Sequence, residues 1–217
     1  MKNHKVLNII FLFIFLFFGC SQSNKKLWPD GKIPFVVYGF SPEEELIIYT
    51  AMLEWEEASK HKIKFIDITL LKNNKTKCLK IIHSNDKALN GSTIGKTSYN
   101  LILIGDISNK IILHELGHVI GLEHEHQRPD ALSYITLNIN FKKNSLLELS
   151  QYIPKTSNFY DYTQYPYDYK SIMHYSIIES NNIIAKPIDC GGDTISLIDA
   201  LKVEKIYSTD NQIYDKK

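Results

Sequence analysis

Residues 114–130 read HELGHVIGLEHEHQRPD, and the meaning of the remaining chain turns on this stretch. His114 and His118 stand four apart, so a helix carries both imidazoles on one face, where they can chelate a single ion. Glu115 lies one step round the same turn, near enough to touch a metal-bound water without being a ligand, which is the division of labour a hydrolytic zinc site requires. Gly121 permits the left-handed backbone that a Cβ resists, so the chain can bend back and offer His124 as a third nitrogen ligand. Three neutral imidazoles leave a coordination position open, unlike the closed four-ligand shell of a structural zinc. A lone H-E-x-x-H also suits a polar helix face; the glycine and the third histidine, giving H-E-x-x-H-x-x-G-x-x-H, decide for the metal. One catalytic Zn2+ is the expected cofactor.

Working outward, the apolar residues Ile111, Ile112, Leu113, Leu116, Val119 and Ile120 predict a helix from about Ser108 to Gly121. Upstream, a turn at Pro29, Asp30 and Gly31 leads into an alternating strand over 32–40. A capped helix follows: Ser41 as N-cap, Pro42 at the first position, Glu44 as capping-box partner, and a stripe of Leu46, Ile47, Met52, Leu53 and Trp55 to about Ser59. Strands are expected at 63–69, 79–83 and 101–105, and a last capped helix over 196–207. The fold class is α+β: an N-terminal mixed sheet with two long helices, then a loop-rich, tyrosine-rich C-terminal part with a final helix.

The chain has 217 residues, with 25 Lys+Arg against 24 Asp+Glu and 44% hydrophobic residues. That composition suits a folded core, excludes wholesale disorder, and is too balanced for a general nucleic-acid binder. Its start is lopsided. Ile9 to Phe18 is an unbroken apolar run behind Lys2 and Lys5, and holds half of the chain's phenylalanines. Ten residues are too few to span a bilayer, which takes about 20, but they match a secretory h-region of about 7–15. The run ends in Phe-Phe-Gly-Cys, which resembles a bacterial lipoprotein signal cut before Cys20, the lipidated residue; plain secretion with a nearby cut is the alternative, given the bulk of Phe17 and Phe18. The expected organisation is a signal peptide over 1–19, a lipidated cysteine and tether over 20–27, and a catalytic domain over 28–217 with lobes of about 28–121 and 122–217. Loss of Lys2 and Lys5 moves the net charge from +1 to −1. The expected location is the bacterial envelope, at the outer membrane or cell surface, with secretion as the fallback. Cys78 and Cys190 could pair or stay free.

The sequence resembles the metzincin zinc endopeptidases and, among them, the astacins. Glu125 follows the third histidine as in that family, and His126, Arg128 and Asp130 continue its H-E-H-x-R-x-D stretch. Further on, YDYKSIMHYS contains Met173, corresponding to the family's Met-turn, and Tyr175 two residues later. The resemblance implies a two-lobed domain with a zinc cleft, a hydrophobic base at Met173, and Tyr175 as a displaceable fifth ligand that stabilises the oxyanion. It also implies hydrolysis of peptide bonds in extended substrates by a metal-activated water, with Glu115 as general base. The segment 101–105 resembles the family's edge strand, to which a peptide adds, and reads equally as an ordinary buried strand. The expected partners are a protein or peptide substrate and, through Cys20, a membrane; no nucleic acid is expected, and the protein is taken as a monomer.

Every one of the 25 basic residues is lysine except Arg128. A guanidinium holds a carboxylate or several carbonyls in a fixed fork where an ammonium cannot, so Arg128 is expected to organise the turn after the zinc helix, together with Asp130. The sequence departs from the family in several ways. Its cysteines make at most one disulfide against the usual two. A lipidated Cys20 leaves no free terminus for Glu125 to contact, so a local hydrogen-bonding role is expected there. The stretch between Cys20 and Trp28 is expected to be too short for the family's usual inhibitory propeptide, and Ala131 replaces a common arginine. His126 and His174 are expected to be structural, and His61 and His83 to be lone histidines in strand-like segments. The tyrosines at 160, 162, 165, 167 and 169 are expected to pack a loop-rich lobe or, less plainly, to form a carbohydrate platform. Two other functions fit the same residues: an exported zinc-binding surface protein without turnover, and an amidase acting on cell-wall peptides.

Overall fold

The computed structural model describes residues 27–70, 77–139, 145–156, 161–180 and 184–208. The signal segment, Cys20 and Tyr160 lie outside them. Strand β1 (Lys32–Tyr38) leads to helix α1 (Pro42–Ala58), β2 (Lys64–Asp67), β3 (Leu79–His83), β4 (Gly91–Ser92), β5 (Asn100–Ile104) and helix α2 (Asn109–Ile120). The chain continues with β6 (Thr136–Leu137), the short α3 (Leu146–Leu149), β7 (Ile184–Lys186) and α4 (Leu197–Ile206). The first five strands form one sheet in the order β2-β1-β3-β5-β4, parallel except for β4. The strand at 101–105 is thus an inner strand, and the edge on that side of the sheet is β4, with β2 at the other. Two residues carry no alternation for a sequence pattern to show, which is why β4 goes unseen and β5 takes its place in the reading.

The elements form where their local chemistry directs. At α1, Ser41 accepts from the Glu44 N–H while the Glu44 carboxylate accepts from the Ser41 N–H, the reciprocal box expected from sequence. The buried stripe differs from the expected one. Ile48, Ala51, Met52 and Trp55 face the core, whereas Leu46 and Leu53 are more than half exposed. Spacing of i, i+3, i+4 and i+7 from Ile48 defines one face, and Leu46 and Leu53, seven apart, lie together on another. Helix α2 starts at Ser108, whose side chain accepts from the Ile111 N–H, and ends at Gly121 with φ +123°. His61 sits in the turn after α1 with φ +58°, outside any strand.

One core joins the sheet, α1, α2 and α4: Ile33, Phe35, Leu79, Ile81 and Ile102 from the strands, Trp55 and Leu113 from the helices, Val203 and Ile206 from α4. A boundary at 121/122 therefore does not divide the hydrophobic core, because the last helix returns to it. Trp28 is anchored there by its indole N–H to the Val119 carbonyl (2.9 Å), and the Tyr207 hydroxyl donates to the Ile120 carbonyl (2.8 Å). Cys78 and Cys190 are both free. Tyr162 is buried in this shared core and Tyr167 in a small cluster with Ala131 and Ile135, as expected of packing residues. Among the described residues no helix is long and apolar enough to cross a membrane.

Trp55 is fully buried, donates its indole N–H to the Leu113 carbonyl (2.9 Å) and lines the space beside Gly117. Trp55→Ala is expected to cost about 3–5 kcal/mol of unfolding free energy, measured as a fall in the denaturant midpoint at constant slope.

Candidate metal centre

Helix α2 places His114 and His118 one turn apart, and the Gly121 turn brings His124 back against them. The Nε2 atoms of His114 and His124 are 3.2 Å apart, and those of His118 and His124 are 3.1 Å apart. The outer nitrogens are all committed: Nδ1 of His114 to the Ile172 carbonyl (2.8 Å), of His118 to the Leu122 carbonyl (2.8 Å) and of His124 to Gln127 Oε1 (3.2 Å). Carbonyl acceptors put the protons of His114 and His118 on Nδ1, so the Nε2 lone pairs converge on one point. Lone pairs facing each other this closely repel unless a cation lies between them. Nitrogens about 2.0–2.1 Å from a tetrahedral zinc stand about 3.3 Å apart, so the donor set fits that ion. Burial and the neighbouring histidines push the His124 pKa well down, which favours the neutral, ligating form.

Glu115 is almost fully buried, and its carboxylate accepts from the Ser92 hydroxyl (2.6 Å). Burial raises its pKa, opposed by His114 and by the Ser92 hydrogen bond. The Tyr175 ring centre lies 4.5 Å from that of His124 and 5.8 Å from that of His114, and burial pushes its pKa well above 10, so the phenol keeps its proton. Under the histidines, Met173 packs so closely on α2 that a Cβ at Gly117 would come 2.6 Å from its sulfur. The Met173 carbonyl accepts from the Glu125 N–H (3.0 Å), and the Ile172 carbonyl from His114 Nδ1, so the methionine turn is wired to both ends of the ligand segment.

Glu125 is the hub of the layer beneath. Its Oε1 accepts from Arg128 Nη1 (3.0 Å) and from the Asp168 N–H (3.0 Å), and its Oε2 pairs with the Lys202 ammonium. Glu125, Arg128 and Lys202 are each at most 2% exposed. Arg128 also holds Asp130 through two bonds (2.9 and 2.8 Å) and the carbonyls of Tyr165 and Pro166. Asp199 accepts from the Ser171 hydroxyl (2.6 Å) and the Ile172 N–H (2.9 Å). Helix α4 therefore grips the centre twice, through Asp199 at the methionine turn and Lys202 at Glu125. His126 and His174 are buried, with Nε2 atoms on the Gln151 carbonyl and the Tyr167 hydroxyl; His83 lies at the end of β3, with Nδ1 on the Gly39 carbonyl.

Ser92, Gly117, Gln127, Asp199 and Lys202 escape the sequence reading. Two left a signal: Gly117 falls inside the motif itself, and Lys202 stands on the same stripe as Val203 and Ile206, where a solvated lysine has no place.

Three convergent histidines on a helix and its glycine turn, above a methionine turn, define a zinc hydrolase of the metzincin type. The family model described as Astacin, a peptidase family, matches residues 20–206. The chain belongs to the astacin family of zinc metalloendopeptidases. Zinc metalloproteinase nas-39 of Caenorhabditis elegans is 30% identical over 174 residues, covering 72% of this chain and 16% of that protein. Tolloid-like protein 2 of Homo sapiens is 32% identical over 180 residues, covering 72% and 15%. The chain thus spans about a sixth of the length of these two relatives. Among solved structures, high choriolytic enzyme 1, a hatching enzyme zinc-protease from Oryzias latipes, superposes with a TM-score of 0.65 at 21% identity, over 87% of this chain and 96% of that one.

Breaking a buried ion pair strands the remaining charge and costs about 3–5 kcal/mol. Lys202→Met is expected to lower stability on that scale, read by denaturant unfolding of the zinc-loaded protein. The His126 pKa is depressed to about 3, chiefly by burial and then by His174. Below its unfolded value of about 6.5 the unfolded chain binds the extra proton, so stability is expected to fall as pH drops from about 6.5 toward 3. His126→Gln should flatten that part of a pH–stability curve.

Proposed function

We propose that the protein is an exported zinc endopeptidase whose chemistry is carried by Glu115 and Tyr175 beside the His114, His118 and His124 triad. The observation that carries this reading is the convergence of three Nε2 lone pairs next to a buried carboxylate with a raised pKa. When bound, zinc supplies the Lewis acidity that activates a water and polarises the scissile carbonyl. Glu115, a neighbour of the ligands and not one of them, takes the proton from the attacking water and returns it to the leaving amine. Tyr175 keeps its hydroxyl proton and offers it to the carbonyl oxygen as negative charge develops. Gln127, Leu122 and Ile172 hold the imidazoles' outer protons, so the ligands are oriented before substrate arrives. Substrate is a peptide in extended form that adds to the free side of the edge strand β4.

The domain acts as a monomer over residues 28–217, behind a signal peptide at 1–19 and a tether that Cys20 attaches to the envelope membrane through lipid. Secretion without lipid is the alternative for that segment. The intact Glu115 and Tyr175 favour turnover over a binding protein that merely retains zinc, and a cell-wall amidase would use the same groups on another amide.

Protein spanning residues 21–217 should bind one zinc per chain and cleave casein, and Glu115→Ala should lose about 10²–10⁴-fold in turnover while keeping its metal. One zinc without cleavage by the wild type would support the binding protein, and cleavage of cell-wall peptides alone would support the amidase. Mass spectrometry of membrane-extracted protein should find an acylated N-terminal Cys20; an unmodified cysteine or a different cut refutes the anchor.

A further inference from the structure

The edge strand β4 and the residues flanking it are fastened both to β5 with the turn after it and to the metal-binding helix. Asn90, nearly buried, accepts through Oδ1 from the N–H groups of Gly105 (2.9 Å) and Asp106 (3.0 Å), which pins the start of β4 to the end of β5. Past the strand, the Thr93 N–H donates to the Leu101 carbonyl (3.0 Å), and the Gly95 N–H to the His118 carbonyl (2.8 Å). Between these ties stands Ser92, paired with Ile102 across the sheet. Its hydroxyl lies 2.6 Å from Glu115 Oε2 and 3.1 Å from the Glu115 main-chain carbonyl. A hydroxyl has one proton, so the nearer and charged acceptor takes it.

We infer that Ser92 is a positioning residue for Glu115, binding one carboxylate oxygen so that the other is held toward the metal-side water. This rests on Glu115 being the general base. A glutamate side chain has three rotatable bonds, and a carboxylate in a buried site has few partners to select among its rotamers. Among the described residues, it is the Ser92 side chain that donates a hydrogen bond to that carboxylate. Its own place is over-determined by the ties of Asn90, Thr93 and Gly95, so the hydroxyl arrives pre-oriented and does not need to be ordered during turnover. The arrangement also joins two jobs in one strand: the main chain of β4 offers the edge to which a peptide adds, and its side chain aims the base. A peptide displaced along that edge is then displaced relative to a base that the same strand holds still.

The test is steady-state kinetics on zinc-loaded protein carrying Ser92→Ala, Ser92→Thr or Glu115→Ala. A lost hydrogen bond to a charged group acting in the transition state lowers kcat about ten-fold or more. Ser92→Ala should show that loss with KM changed less than about two-fold and with zinc content and Tm unchanged, and Ser92→Thr, which keeps the hydroxyl, should recover most of kcat. Unchanged kcat in Ser92→Ala overturns the inference while Glu115→Ala remains inactive. A loss confined to KM or zinc content overturns it too, and so does failure of threonine to rescue. Turnover that survives Glu115→Ala instead removes the general-base reading, and the inference falls with it.

Discussion

The Glu125 carboxylate, sealed from water between Arg128 and Lys202, is the interaction on which the rest of the lower structure depends. An isolated buried carboxylate is prohibitively costly, so the fold must deliver two cations and a backbone N–H to one point. Delivery fixes much else. Arg128 reaches it only by folding the chain after His124 into a tight turn, and the same guanidinium fork closes on Asp130 and two carbonyls. Lys202 reaches it only if α4 lies under the methionine turn, where Asp199 can take the Ser171 hydroxyl and the Ile172 N–H. Since the N–H of Glu125 binds the Met173 carbonyl, the charge cluster, the turn and the third histidine share one framework. Such a cluster contributes little net stability against a hydrophobic substitute but heavily penalises partial disassembly.

That framework stands in for covalent links. Both cysteines among the described residues are free, and the C-terminal part is poor in regular structure, with one two-stranded sheet of short strands. Its cohesion comes from side chains bonding across long sequence separations: Lys155 to Glu123, Ser196 to Asp168, Tyr169 to the Tyr134 carbonyl. The strap Cys190–Gly192 adds two main-chain bonds to Tyr169 and Ser171 beside the methionine turn. Tyrosine suits this work, since one ring fills space while its hydroxyl finds a polar partner.

What was legible in the sequence was local. The zinc helix, its glycine stop, the capping box at Ser41 and the capped start at Ser196 are written within a few residues, because helix periodicity and end chemistry act over one or two turns. Arg128 was legible for a different reason: a chain that otherwise uses only lysine isolates its single exception. The edge strand was not, because two residues show no period and Gly91–Ser92 is a strand only by virtue of β5 beside it. The partnership of Lys202 with Glu125 spans 77 positions, and nothing in either neighbourhood names the other. Leu46 and Leu53 misled the reading of α1 because hydrophobicity alone does not say which of two apolar faces meets the sheet.

Trp28 and Tyr207 grip the last turn of α2 from the two ends of the described chain, and Leu27 packs against Gly121. Mechanically this couples the last turn of the zinc helix to the position of Leu27 and Trp28. A shift of Trp28 is passed through its indole to the Val119 carbonyl, one residue beyond the metal-binding His118, and also into the core in which Leu27 and Trp28 are packed. The end of the zinc helix and the two ends of the described chain therefore move as one piece.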